Sequence, residues 1–399
     1  MLKKILCILQ PQKQHNLRQN LKYLRAINVL YGTTFFMPYL ALYLQTHLFS
    51  LSNVALIFSV QTIVAIIFEL PSGLLSDKLG RKKTLVLSSV LRICAFVLLL
   101  FAVNMIGFIC YAILSAIAGS LRSGTDVSLI YETCHELEDD ASFQKQIGDY
   151  YSLYPIGATI SAAIAGVVSK VSLEFTIWLS FIPAALIILL SMNLIEPHYH
   201  RYAKHKSFMT QLLDYKKHLF SSKFVYHIIL ASALIASFFA LTESFTSIFF
   251  EYKGVDISTI GYFIAMFYLL NTYGYRISYY FSKLVGQRHS LHLSIIGLSA
   301  SVFLSTLSSS YISVLCFLFA GFFYAINTPI ITDMLNSNIE STHRATLNST
   351  TTFCTSINVF IVTTLVFFSN NYLNINTIFM LLCIIPLLSI VTLGLNRKA

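Results

Sequence analysis

Apolar runs long enough to cross a lipid bilayer recur down the whole of this 399-residue chain, and nothing else constrains its fold as strongly. A helix needs roughly 18–20 predominantly apolar residues to span hydrocarbon. Twelve candidate spans are read, at about 24–45, 52–74, 84–103, 105–131, 146–169, 174–195, 224–249, 257–282, 290–308, 311–334, 345–368 and 374–395, with ends good to about three residues. No soluble fold could bury them all. Composition agrees, at 56% hydrophobic and 11% charged residues, where soluble domains carry about 25% charged.

The net charge of +10 would suggest nucleic acid if it sat in one patch, so its location decides. With both termini on one side, that side collects Lys3, Lys4, Lys13, Arg18, Lys22 and Arg25, then Lys78, Arg81, Lys82 and Lys83. It also collects Lys145, Arg201, Lys204, Lys206, Lys216, Lys217, Lys223, Lys283, Arg288, Arg344, Arg397 and Lys398. The opposite side holds only Lys170 and Lys253. The positive-inside rule reads this as both termini cytoplasmic, with no nucleic-acid partner. The first residues are no secretory signal, because their apolar run is limited to Ile5–Leu9 and a Pro-Gln-Lys-Gln-His stretch follows. Residues 1–22 are expected to form a cytoplasmic segment with a short amphipathic lead-in. The seven cysteines form no CxxC pair and most lie inside spans, which points to free thiols rather than disulfides or a metal site.

Between the second and third spans runs Gly73-Leu74-Leu75-Ser76-Asp77-Lys78-Leu79-Gly80-Arg81-Lys82-Lys83, a glycine-bracketed basic loop with one carboxylate. A carboxylate at a helix terminus can bind the positive N-terminal end of a neighbouring helix. The loop resembles the one joining helices 2 and 3 of the major facilitator superfamily, whose pattern runs roughly G-x-L-x-D-x-x-G-R-K. Gly73, Leu75, Asp77, Gly80, Arg81 and Lys82 fall in register with it. The resemblance implies an all-α membrane protein of 12 transmembrane helices in two six-helix bundles, with a substrate cavity between them. It implies a monomer in the bacterial inner membrane that carries a small molecule by alternating access and needs no cofactor. It also implies that Asp77 docks at the start of helix 11, here near Arg344, and that Arg81 reaches an acid closing helix 4, here Glu132. Asp333, near the cytoplasmic end of helix 10, is assigned to the same gate.

A long polar segment at 197–223 divides the spans six and six. The expected organisation is therefore 1–22, a first bundle at 23–196, a basic cytoplasmic loop at 197–223, and a second bundle at 224–399. Within the loop, Ser207–His218 can form a surface helix on the anionic inner leaflet. His198, His200 and His205 lack a fourth ligand at suitable spacing for a metal. After the eighth span, Ser282-Lys283-Leu284-Val285-Gly286-Gln287-Arg288 repeats the frame of Ser76 to Lys82, with Lys283 replacing the aspartate and Gln287 the arginine.

Ionisable side chains at the centre of a span cost at least about 2.5–3.5 kcal/mol on insertion scales, so each is a functional hypothesis. They are Glu69, Arg92, Arg122, Asp126, Glu243, Arg276 and Asp333. Glu69 sits one turn before the basic loop; an ion pair with Arg92 is the leading expectation and a proton-carrying role the alternative. Arg122 and Asp126 stand four apart on one face of helix 4, with Ser123 and Gly124 allowing close helix approach. They either neutralise one another, or Asp126 alternates between Arg122 and a proton; burial favours the neutral acid and the arginine the anion. Glu243 has no cation nearby in sequence and is a candidate for a cationic substrate or for the coupling proton, or an inert group at the outer mouth. Arg276, among Asn271, Tyr273, Tyr275 and Tyr279, pairs with Glu243 or faces an anionic substrate group.

The stretch Ser120 to Glu132 resembles a Ser-Gly-x-(Asp/Glu)-x-Ala-Leu-Ile-Tyr-Asp segment of macrolide-efflux-like bacterial transporters, with Ser128 for the usual Ala and Glu132 for the usual Asp. Gly148, Gly157 and Gly166 recur every nine residues on helix 5, a partial match to the glycine pattern of the superfamily's antiporters, and serve tight packing in any case. The leading expectation is proton-coupled export of a small amphipathic compound, antibiotic-like or siderophore-like. Proton-coupled uptake of a nutrient or metallophore is the alternative. A membrane enzyme or receptor is disfavoured by the lack of an HExxH, a nucleophile elbow, a phosphate-cradling loop or a sizeable soluble domain. A channel is disfavoured by the repeat and the lack of a filter motif.

Overall fold

The computed structural model describes residues 2–137, 143–197, 223–337, 344–369 and 372–394. The histidine-rich part of the central loop and its expected surface helix lie outside them. The described residues are helical and include no strand. In chain order the helices are α1 (Leu2–Gly32), α2 (Leu40–Leu48), α3 (Leu51–Leu79), α4 (Arg81–Phe101), α5 (Met105–Arg122), α6 (Thr125–Glu136), α7 (Phe143–Val168) and α8 (Leu173–Met192). There follow α9 (Lys223–Tyr252), α10 (Ile257–Val285), α11 (Gln287–Leu307), α12 (Ser310–Ser337), α13 (Arg344–Phe368), α14 (Ile375–Leu382) and α15 (Ile384–Gly394).

Eleven stretches of the described residues are long and apolar enough to cross a membrane. Helix α10 falls outside that set although it runs for 29 residues. The polar residues Asn271, Thr272, Tyr273, Tyr275 and Arg276 sit at its middle, so length rather than hydropathy makes it the twelfth. Three expected spans are broken. The first bends through a 3-10 turn at Met37–Tyr39. The fourth breaks between α5 and α6, where Gly124 takes φ +74°, a conformation open chiefly to glycine. The twelfth breaks at Cys383, shortly before Pro386.

Packing divides the chain into two compact units. One comprises Met1–Phe35, Ile67–Ser161 and Ile177–Lys206; the other comprises Phe36–Ile66, Ala162–Thr176 and Ser207–Ala399. The second therefore takes in the far portions of the first, second and fifth spans, which pack on second-half helices.

In the first unit, Leu24, Ile27, Tyr31, Leu85, Leu129, Tyr150, Ile187 and Leu194 form one buried cluster. Helix α1 runs without a break through the boundary expected near residue 22. Asn20 is fully buried, where its amide donates to the Ile195 carbonyl at 2.8 Å and accepts from the Ile195 N–H at 2.9 Å. Satisfying a buried amide on both sides avoids about 1–3 kcal/mol for each group left unpaired, so this part of α1 is structural. Gly157 lies so close to α1 that an added Cβ would stand 2.2 Å from the Val29 carbonyl oxygen.

In the second unit, aromatic rings fill the interior. Phe249 stacks on Phe379 with centroids 4.3 Å apart, and Phe317 contacts Phe249, Phe250 and Phe267. Phe239 is sandwiched between Tyr324 at 3.7 Å and Phe267 at 5.7 Å.

Candidate functional site

The basic loop is ordered by three carboxylates: its own Asp77, the expected Glu132, and Glu196. Arg81 Nε donates to Glu132 at 3.0 Å, and Arg81 Nη1 pairs with Asp77 at 2.8 Å and donates to Ser76. The Arg81–Glu132 pair expected from the resemblance is present. Arg344 opens α13, but its side chain lies outside the described residues, as does the expected docking of Asp77 there. Sequence reasoning does not find Glu196. Its carboxylate accepts the backbone N–H groups of Arg81 at 2.6 Å and Lys82 at 2.8 Å, so it sits at the positive N-terminus of α4. Gly80 makes this possible. It takes φ +93°, and a Cβ there would stand 2.9 Å from the Glu196 carboxylate. Gly73 has open space around it.

The eroded second copy keeps both features in weaker form. Gly286 takes φ +88° and ψ +145°, against φ +93° and ψ +155° at Gly80. Gln287, in the place of Arg81, donates to Asp333 at 2.9 Å. An amide and a carboxylate thus replace the guanidinium and carboxylate of the first copy, which supports placing Asp333 with the gate.

The first unit holds a second polar centre among α1, α4, α5, α6 and α7. Asp126 is buried and lies 3.2 Å from Arg122 Nε. The Tyr150 hydroxyl donates to the same carboxylate at 2.5 Å, and the Val127 N–H donates to its other oxygen at 2.8 Å. Arg122 also donates to Asn28 at 2.7 Å and to the Tyr150 oxygen at 3.1 Å. The pair does not ride one continuous helix, because the break at Ser123 and Gly124 falls between its members. Gly124 has nothing within 4 Å of a built Cβ; it serves the break, not close helix approach.

Arg92 differs from expectation. It donates to Thr34 at 2.5 Å and lies over the ring of Tyr31 at 4.3 Å and of Phe96 at 5.2 Å. Glu69 instead accepts from Ser123 at 3.3 Å. Spacing along two helices cannot fix their mutual rotation, and here that rotation turns Arg92 towards α1. Tyr31, Tyr150 and Asn28 carry no sequence signal beyond their polarity inside a span.

In the second unit, Glu243 is exposed on α9 and accepts from the Tyr268 hydroxyl at 2.5 Å. Arg276 is exposed on α10 and forms no ion pair with Glu243.

At the end expected to face outward, helices of the two sequence halves meet within this unit. Tyr39 is fully buried. Its hydroxyl donates to the Ile257 carbonyl at 2.9 Å and accepts from the Gly261 N–H at 2.8 Å. These are the groups that an undistorted first turn of α10 would pair with each other, so the tyrosine is inserted into that turn. A Cβ on Gly261 would stand 2.4 Å from the Ala162 oxygen and 2.6 Å from the Gly166 nitrogen. Ser59 Oγ lies 2.8 Å from Thr363 Oγ1, and Phe58 meets Phe245 edge-on at 5.3 Å. Of the three helix 5 glycines, Gly157 and Gly166 therefore make close contacts, while Gly148 has nothing within 4 Å. A 490 Å³ cavity opens at the same end, lined by Gln45, Phe49, Glu251, Tyr252 and Asn374 among others. Among the described residues no cluster of His, Cys, Asp and Glu can hold a metal.

A profile of the Major Facilitator Superfamily matches residues 26–363. A comparison with curated protein sequences found no match. Solved structures that resemble this one include the nucleoside transporter NupG, at TM-score 0.75 and 12% identity, with 96% of this chain and 100% of that one covered. A D-xylose-proton symporter matches at TM-score 0.76 and 14% identity, covering 93% and 96%. A POT family transporter in complex with 5-aminolevulinic acid matches at TM-score 0.74 and 13% identity, covering 95% and 96%. At such identities the likeness is one of fold.

Proposed function

The chain belongs to the major facilitator superfamily, and from that premise we propose that it is a proton-coupled secondary transporter of a small amphipathic organic compound, with Asp126 as the proton site. The observation that carries this reading is the set of partners around Asp126. Its counter-ion Arg122 ends α5, the acid itself opens α6, and its hydroxyl donor Tyr150 is on α7. A small movement of any one helix changes whether the acid is held as an anion or released to bind a proton. Alternating access needs such an element, with two arrangements that a proton and a substrate bias differently.

Export is the direction favoured by the helix 4 and helix 5 resemblances, and by the Gly166–Gly261 contact, which places part of the helix 5 glycine pattern against α10. Uptake is the second reading. It draws support from the single acid set against two half-buried arginines, because a proton on Asp126 would leave positive charge there to hold an anionic solute. On either reading Asp77, Arg81, Glu132, Glu196 and Asp333 brace the ends of the helices that must move. The proposed setting is a bacterial inner membrane, with both termini cytoplasmic and the chain acting as a monomer.

Inside-out vesicles enriched in the protein test the coupling and its direction. A pH-sensitive dye reports the energised lumen while macrolides, tetracyclines, dyes and siderophores are added. Saturable proton release from the lumen on adding one compound is the expected result for export. Proton entry along with the compound would favour uptake instead. No response to any compound, with intact protein, would count against proton-coupled transport of this substrate class.

A further inference from the structure

We infer that Arg92 and Arg122, stacked on Tyr31, form the binding site for an oxyanion group of the transported solute, and that ionised Asp126 competes with that group. The inference rests on the transport reading above and adds the substrate class. The two guanidinium carbons lie 4.3 Å and 3.7 Å from the centroid of the same ring, so they are within about 8 Å of each other and repel strongly in a poorly screened interior.

The two cations have one ion-paired carboxylate between them. Asp126 pairs with Arg122, whereas Arg92 donates to the Thr34 hydroxyl and forms no ion pair among the described residues. A half-buried cation without a counter-ion is costly, and cation–π contact offsets only part of that cost.

The hydrogen bonding shows the same deficit. The Nε of Arg92 and the Nε of Arg122 are both buried and make no hydrogen bond. The Nε edge of a guanidinium is part of the fork that takes a carboxylate or phosphate in parallel hydrogen bonds. Both guanidinium groups lie over the Tyr31 ring, and their Nε–H groups keep donor capacity that a ligand could take. Arg122 is half-buried, with 21% of its side chain exposed. Asp126 is the resident stand-in: its Oδ2 lies 3.2 Å from Arg122 Nε without a hydrogen bond forming, and accepts instead from the Tyr150 hydroxyl, while the Val127 N–H donates to Oδ1.

The test is ligand binding by the purified full-length protein in detergent, read as the rise in melting temperature across titrations of four isosteric probes. Benzoate and phenyl phosphate carry the two oxyanions, benzamide is neutral and benzylamine is cationic. The inference predicts a saturable rise with at least one anion, and the stronger of the two tells carboxylate from phosphate; neither benzamide nor benzylamine produces it. Arg92→Gln is expected to weaken the anion by about tenfold or more, and Arg92→Lys to restore it only in part. Asp126→Asn is expected to tighten it, an outcome no purely structural role for these residues produces. Equal shifts from all four probes, no shift from any, or unchanged anion affinity in Asp126→Asn would overturn the inference. Proton movement in vesicles that survives such a result would leave the coupling reading intact, and anion binding without proton movement would leave only this one.

Discussion

Replacing Gly261 by alanine tests whether the approach of α7 to α10 holds shut the end expected to face outward. The added Cβ would stand 2.4 Å from the Ala162 oxygen, 2.6 Å from the Gly166 nitrogen and 2.7 Å from the Gly166 Cα. All three are backbone atoms, so no side chain can swing aside and α7 and α10 must part. Overpacking of this kind costs about 1–3 kcal/mol. Alanine also gains up to about 1 kcal/mol over glycine in helix propensity, but that gain accrues to both arrangements and cancels. Only the closed one carries the clash, so the equilibrium should shift roughly 5–150-fold towards opening. The reporter is a cysteine at Ser59, a buried residue that contacts Thr363 across the same seam, labelled with a membrane-impermeant maleimide. Its labelling rate should rise in Gly261→Ala and stay unchanged in Gly119→Ala, where nothing lies within 4 Å of the new Cβ. Labelling in Gly261→Ala no faster than in that control, with normal transport, would refute the claim that this approach holds the seam shut.

Glu196→Ala removes the acceptor of two helix N-terminal N–H groups and should lower stability by about 1.5–3 kcal/mol, read as earlier thermal unfolding in detergent. Asp77→Asn should insert and fold normally but transport more slowly, because it loses its ion pair with Arg81; quantified membrane expression beside initial transport rates checks this, and an unimpaired rate would remove Asp77 from the gate.

The spans were legible because apolar length is a one-dimensional property, and eleven of them stand on that property alone. The pairing of Arg81 with Glu132 was legible because both charges lie in stretches that resemble a known pattern. Glu196 was not, since its partners are backbone N–H groups that every sequence possesses. The Glu69–Arg92 pairing failed because depth in the membrane is readable from sequence while helix rotation is not. Gly124 was read as a packing residue and is a break; both uses need a missing Cβ, and only the backbone dihedral separates them. Gly261 gave no signal on its own, because its role exists only where α7 crosses it. The same holds for Tyr39, whose hydroxyl finds its partners more than two hundred residues away.

The central claim is that Asp126 carries the coupled proton, and one comparison tests it most directly. Wild-type protein and Asp126→Asn are reconstituted side by side, and each is assayed for substrate-driven proton movement and for exchange of labelled against unlabelled substrate with no proton gradient. Neutralising the proton site should abolish the first and leave the second, since the binding groups and the moving helices remain. Proton movement that persists in Asp126→Asn at the wild-type ratio to substrate would place the coupling site elsewhere, with Glu243 next in line.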